Sequence, residues 1–184
     1  VVRLGADKAI ILGGTSAVST TVENALKTLL GAGDVERLGG IDRYRTADMI
    51  AVRAIAELGG AYDGTAFVAT GANYPDALAA APLSAGLHWP LFLTPTTGLD
   101  AGTKAAMADV DEVLILGGTA VVPQAIEDSL EITYGDADVT RLAGADRYAT
   151  AVVVATHGVA SGLGWNRLAI TTGEKFPDAL AGGV

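Results

Sequence analysis

Two blocks of the chain gather an acid, a guanidinium, a phenol and a hydroxyl within five residues: Asp42, Arg43, Tyr44 and Thr46, and again Asp146, Arg147, Tyr148 and Thr150. An arginine fork suits a carboxylate or a phosphate on an anionic polymer, because its planar donors match the geometry of paired oxygens. Arg37, Arg43 and Arg45 place three of the twelve basic residues within nine positions, a local patch that can outweigh an acidic average at short range. Arg141 stands before the second block as Arg37 stands before the first. The same residues have a plainer use, in which each Asp caps a helix and each Arg pairs with a carboxylate of a neighbouring element.

Pro75-Asp76 and Pro177-Asp178 each follow a Thr-Gly pair. Proline has the φ angle of a first helical residue, and an aspartate there meets the positive end of the helix dipole. Such a helix start at the carboxyl end of a strand is also where open α/β sheets dock ligands, with Asn73 and Asp76 as polar contacts. Gly13-Gly14-Thr15 and Gly117-Gly118-Thr119 resemble phosphate loops, but the Lys before Ser or Thr is missing and no G-x-G-x-x-G occurs. A tight strand-to-helix turn explains them better.

Support for catalysis is thin. His88 and His157 lack a metal-ligand spacing, and neither a G-x-S-x-G nor a Ser-x-x-Lys motif is present. Asp109-Val-Asp111 has the bare spacing of an acidic metal site, yet its counterpart one repeat earlier reads Gly5-Ala6-Asp7. The expectation is no catalytic residues, no metal and no cofactor.

The elements that position these groups follow from periodicity. Ala66–Ala69, Leu91–Leu93, Val113–Leu116 and Val139–Leu142 are short runs rich in apolar and β-branched residues, read as buried strands. Ala47–Leu58 puts Ile50, Ala51, Ala54, Ile55 and Leu58 on one helical face, closed by Gly59-Gly60, and a second helix is predicted from Pro123 to Leu130. Thr20-x-x-Glu23 has the form of a capping box. Alternating strand and helix predict an α/β fold, a mainly parallel sheet flanked by helices.

The chain repeats itself. Arg37 to Ala47 recurs as Arg141 to Ala151 with eight of eleven positions identical, and Ile11-Leu-Gly-Gly-Thr15 recurs as Ile115-Leu-Gly-Gly-Thr119. Thr70 to Ala79 recurs as Thr172 to Ala181. Cut at the Arg-Leu-x-Gly block, residues 1–36 close one repeat, 37–140 form a complete one, and 141–184 open the next. Val1-Val2-Arg3-Leu4 resembles neither an initiator start nor an export signal, so the chain is expected to begin inside a longer parent.

Composition narrows the partners. Half of the 184 residues are hydrophobic and the mean hydropathy is +0.39, which supplies a core, while only 5% are aromatic, which disfavours a large aromatic-lined cavity. A net charge of -9 repels nucleic acid and anionic membrane surfaces. Apolar runs are too short to cross a bilayer, and the absence of cysteine excludes disulfides and thiol chemistry.

Taken together, R-L-x-G-x-D-R-Y-x-T-A, T-G-x-x-[YF]-P-D-A-L-A, P-L-F-L-T and I-L-G-G-T resemble the cell wall binding repeat 2 family of Gram-positive bacteria, over essentially the whole chain. The resemblance implies an exported protein held non-covalently on the wall through an anionic secondary polymer by modules that commonly come in threes. It also implies a Rossmann-like or Toprim-like repeated module, a pseudo-threefold packing, and catalysis confined to other domains of the parent. The family's I-L-L signature falls on Leu91-Phe92-Leu93, with an aromatic residue in the middle. Two further readings stand beside wall anchoring. One is a structural or oligomerising surface-layer module, in which the same residues join neighbouring repeats or copies of the chain. The other is a phosphoester-processing enzyme, suggested by the Toprim-like comparison.

Overall fold

A computed structural model describes residues 4–166, 168–176 and 179. Its elements run β1 (Ala9–Leu12), α1 (Thr20–Leu30), β2 (Val35–Leu38), α2 (Arg43–Leu58), β3 (Thr65–Thr70), α3 (Pro75–Ala79), α4 (Ala81–Leu87), β4 (Leu91–Thr94), α5 (Ala101–Ala106), β5 (Glu112–Leu116), α6 (Gln124–Tyr134), β6 (Val139–Leu142) and α7 (Arg147–Ala160). Every strand pairing is parallel, in a four-stranded sheet ordered β4-β3-β5-β6 and a two-stranded sheet of β1 and β2. The α/β architecture is the one the alternation predicts.

Central position and helical cover explain why all six residues of β3 are buried, an apolar Ala-Phe-Val-Ala run between Thr65 and Thr70. On one face, Ala66 and Val68 of β3 and Val113 and Ile115 of β5 pack under α2, α5 and α6 through Ala51, Ile55, Met107, Ile126 and Leu130. On the other face, Phe67, Leu114, Leu116 and Leu142 pack under α4 and α7 through Leu83 and Val154, with Trp89 against the edge of Phe67. Each fully buried side chain of this size contributes roughly 2–3 kcal/mol of transfer free energy.

Local chemistry sets the helix limits. Helix α2 begins at Arg43, four residues before the predicted start, because the Asp42 carboxylate accepts the Arg45 backbone N–H at 2.8 Å. Asp146 caps α7 through Ala149 in the same way. Helix α6 begins one residue after Pro123 and runs to Tyr134, a turn beyond the predicted end. The capping box at Thr20 is not formed: Ser19 caps α1 by accepting from the Val22 N–H, and Glu23 turns to Lys27 and Arg37. No helix among the described residues is long and apolar enough to cross a membrane.

Candidate functional site

The repeated arginines do different work. Arg37 pairs with Glu23 at 2.8 Å and donates to the Gly13 carbonyl at 2.7 Å. Arg141 repeats this with Glu127 at 3.1 Å and the Gly117 carbonyl at 2.8 Å. Both thereby tie a strand to the glycine turn of its neighbour and to the helix between them. The signal was in the sequence as a Glu fourteen residues before each Arg, at positions 23 and 127, and spacing arguments passed over it.

Arg45 enters a network with Asp48 and Asp100, and Thr103 donates to Asp48 at 3.1 Å. Burial holds the Asp48 carboxyl above its ordinary value, although Arg45 pulls the other way. The second repeat has Ala149 and Val152 in place of Arg45 and Asp48, so this network belongs to one copy alone.

Arg43 and Arg147 form a third class. Arg43 Nη1 donates to the Gly71 carbonyl at 2.6 Å, and Arg147 Nη1 to the Gly173 carbonyl at 2.6 Å. Neither enters an ion pair among the described residues, where Arg37, Arg45, Arg53 and Arg141 all do. Tyr44 fills the space beside Gly71, where a β-carbon would collide with its ring. Tyr148 packs on Gly173 and donates its hydroxyl to Glu174 at 3.1 Å, a bond that raises its pKa.

Asp42, Arg43, Thr46, Leu91 and Leu93 come together on one open groove of about 930 Å³. Its floor is the Ile50 and Ala54 face of α2, and its rims are the Gly13-Gly14 turn and the Trp89–Leu93 edge. Phe92 points the other way and is fully buried in the core, so only Leu91 and Leu93 of the L-F-L run reach the groove. Asn73 accepts the Tyr74 N–H. Asp76 sits in the first turn of α3 against Gly117, its carboxyl raised by burial and partly relieved by the nearby positive charge of Arg147. Asp178 lies outside the described residues. No three His, Asp or Glu side chains converge as a metal site among the described residues.

What fold and site define is a repeated α/β module whose repeat-bearing side chains hold turns and helix starts, with an amphipathic groove that runs along α2 and the β4 edge. The Cell wall binding domain 2 (CWB2) family matches residues 37–127 and 141–184, and the chain belongs to that family. It is 31% identical over 186 residues to the amidase enhancer of Bacillus subtilis, covering 99% of this chain and 23% of that protein. To the N-acetylmuramoyl-L-alanine amidase LytC of the same organism it is 32% identical over 156 residues, 84% of this chain and 29% of the relative. The chain thus spans about a quarter of the length of these relatives. Cwp8 from Clostridium difficile superposes with a TM-score of 0.68 at 34% identity, over 80% of this chain and 23% of that one. Cwp6 from the same organism superposes with a TM-score of 0.73 at 23% identity, over 86% and 25%, and adds support for the fold.

Proposed function

We propose that the chain is a non-catalytic anchoring module that holds an exported protein at the bacterial cell surface by gripping an anionic secondary polymer of the Gram-positive wall. The carrying observation is Arg43: a guanidinium at a helix start, fixed by one hydrogen bond to Gly71, free of ion pairs among the described residues, and placed on a groove with apolar walls. A sugar polymer bearing carboxylates or phosphates presents both chemistries, anionic groups for the fork and ring faces for Leu91, Leu93 and Ile50. The reading agrees with family membership and with relatives named for amidase work, whose length beyond this module leaves room for chemistry elsewhere.

The three-part division at 37 and 141 enters as a sequence register. Both boundaries fall inside strands, β2 and β6.

A second reading has its own observation. Around Arg147 and Gly117, the place equivalent to the groove is filled by α3 with Asp76. The groove is therefore also the seat of a neighbouring module, as a structural surface-layer unit without its own ligand would require. Co-sedimentation with Gram-positive walls, before and after chemical removal of their anionic polymer and across a salt series, separates the two. Anchoring predicts retention that is lost on stripping, weakens with salt and falls several-fold in Arg43→Ala at unchanged oligomeric mass. Equal retention by stripped walls, or none by either, overturns it.

A further inference from the structure

Asp109 and Asp111, the bare acidic pair of the sequence, stand at the amino edge of the four-stranded sheet, just before β5. Val110 between them is buried in the core, and both carboxylates stay exposed. Asp63 lies in the turn before β3, and that turn is joined to the pair: the Gly64 carbonyl accepts the N–H groups of Asp111 and Glu112 at 2.8 and 3.1 Å. Four acidic residues, Asp63, Asp109, Asp111 and Glu112, therefore gather where two neighbouring strands begin. Helix α2 ends at the same edge, at Leu58, with no basic residue in its last turn to offset the negative end of its dipole.

A cleft of about 390 Å³ opens there, walled by Val52, Ile55 and Ala56 of α2, Ala106 of α5 and the Tyr62 ring, with Asp109 as its carboxylate. Tyr62 donates its hydroxyl to the Thr65 carbonyl at 3.1 Å, which fixes the ring. Burial, and then the charges of Asp63, Asp111 and Asp109, push the pKa of that hydroxyl up. The basic residues of the two helices are engaged elsewhere. Arg43 and Arg45 lie at the far end of α2, Arg53 pairs with Glu36 and Glu57, and Lys104 donates to Ser129 of α6. Asp109 enters no ion pair among the described residues.

We propose that this cleft takes an arginine side chain from an exposed basic segment of a partner protein, its guanidinium stacked on Tyr62 and forked to Asp109. Charge complementarity carries the choice of occupant: the cleft holds a carboxylate, a helix end of negative sign and no cation of its own. The apolar walls suit the methylene stem of such a side chain, and the planar head suits both an aromatic face and a carboxylate. The volume falls within the range of about 300–1,000 Å³ usual for ligand pockets. Carboxylates and phosphates would be repelled here, so this site and the Arg43 groove select opposite charges at opposite ends of α2. The inference does not depend on polymer anchoring.

The test is a titration of the full chain, labelled with nitrogen-15, with the capped peptide acetyl-Gly-Arg-Gly-amide, followed by amide NMR. The same peptide with citrulline for arginine is its neutral isostere. The amide signals of Gly59, Ala106 and Asp109 should move and saturate at millimolar arginine peptide and stay in place with the citrulline one. Asp109→Asn, at an exposed position, should weaken binding several-fold. Asp138→Asn makes the same change of charge at an exposed site before β6 and should leave binding unchanged. Val52→Lys, at the half-exposed wall, should weaken it as well by supplying a resident cation. No movement of these signals, an equal response to citrulline, shifts scattered over the acidic surface, or equal weakening by Asp109→Asn and Asp138→Asn would each overturn the proposal.

Discussion

Arg141 donates to the Gly117 carbonyl at 2.8 Å, binding β6 to the turn that ends β5. Its guanidinium also grips Glu127 of α6, so one side chain locks two strands and the helix that crosses between them. The side chains of Arg141 and Glu127 are only 14% and 12% exposed, which makes the pair costly to break from one side.

Arg141→Ala should therefore lower unfolding stability by about 3 kcal/mol, because it orphans both a carboxylate and a carbonyl. Urea denaturation followed by circular dichroism measures the loss. Adding Glu127→Ala should restore part of it by removing the stranded charge, and a double variant no better than the single would show that the charge pairing contributes little.

Asp76 yields a pH prediction. Burial raises its carboxyl above the ordinary 3.8, outweighing the pull of Arg147. The folded state thus holds the proton to higher pH than the unfolded chain, and Asp76's contribution to stability is complete below 3.8 and lost as pH rises from there through the raised value. Asp76→Asn should melt with the wild type at pH near 3 and a few degrees above it at neutral pH. A Tm difference that does not widen with rising pH would mean the charged carboxylate finds compensation in the fold.

The sequence revealed the parts that depend on local pattern. Apolar runs located β3 to β6, and Asp-Arg-Tyr marked both helix starts, since caps and periodicity are short-range properties. Long-range partners were hidden. That Arg37 and Arg141 turn inward to Glu23 and Glu127, whereas Arg43 faces a groove, depends on which strand lies beside which, and an arginine looks the same in either setting. Phe92 entered the candidate set through motif position, but strand alternation sends it into the core while Leu91 and Leu93 face the groove. Why Thr20 loses the cap of α1 is clear only once Arg37 is seen to claim Glu23.

Gly158 and Ala54 occupy the same place in α7 and α2, one repeat apart, and their surroundings predict opposite responses to one substitution. A β-carbon at Gly158 would lie 2.8 to 3.0 Å from three carbons of Leu83, because α7 rests directly on α4 across the finished sheet. Gly158→Val must push α7 outward or bend Leu83 off its rotamer, a loss of about 1–3 kcal/mol. Ala54 lines the open groove, where added methyls meet space, so Ala54→Val should cost no more than its helix propensity, about 0.5 kcal/mol. Thermal melts of both variants supply the comparison. A large loss at Ala54 would mean the groove is already filled in solution, and a small one at Gly158 would mean α7 is not held against Leu83.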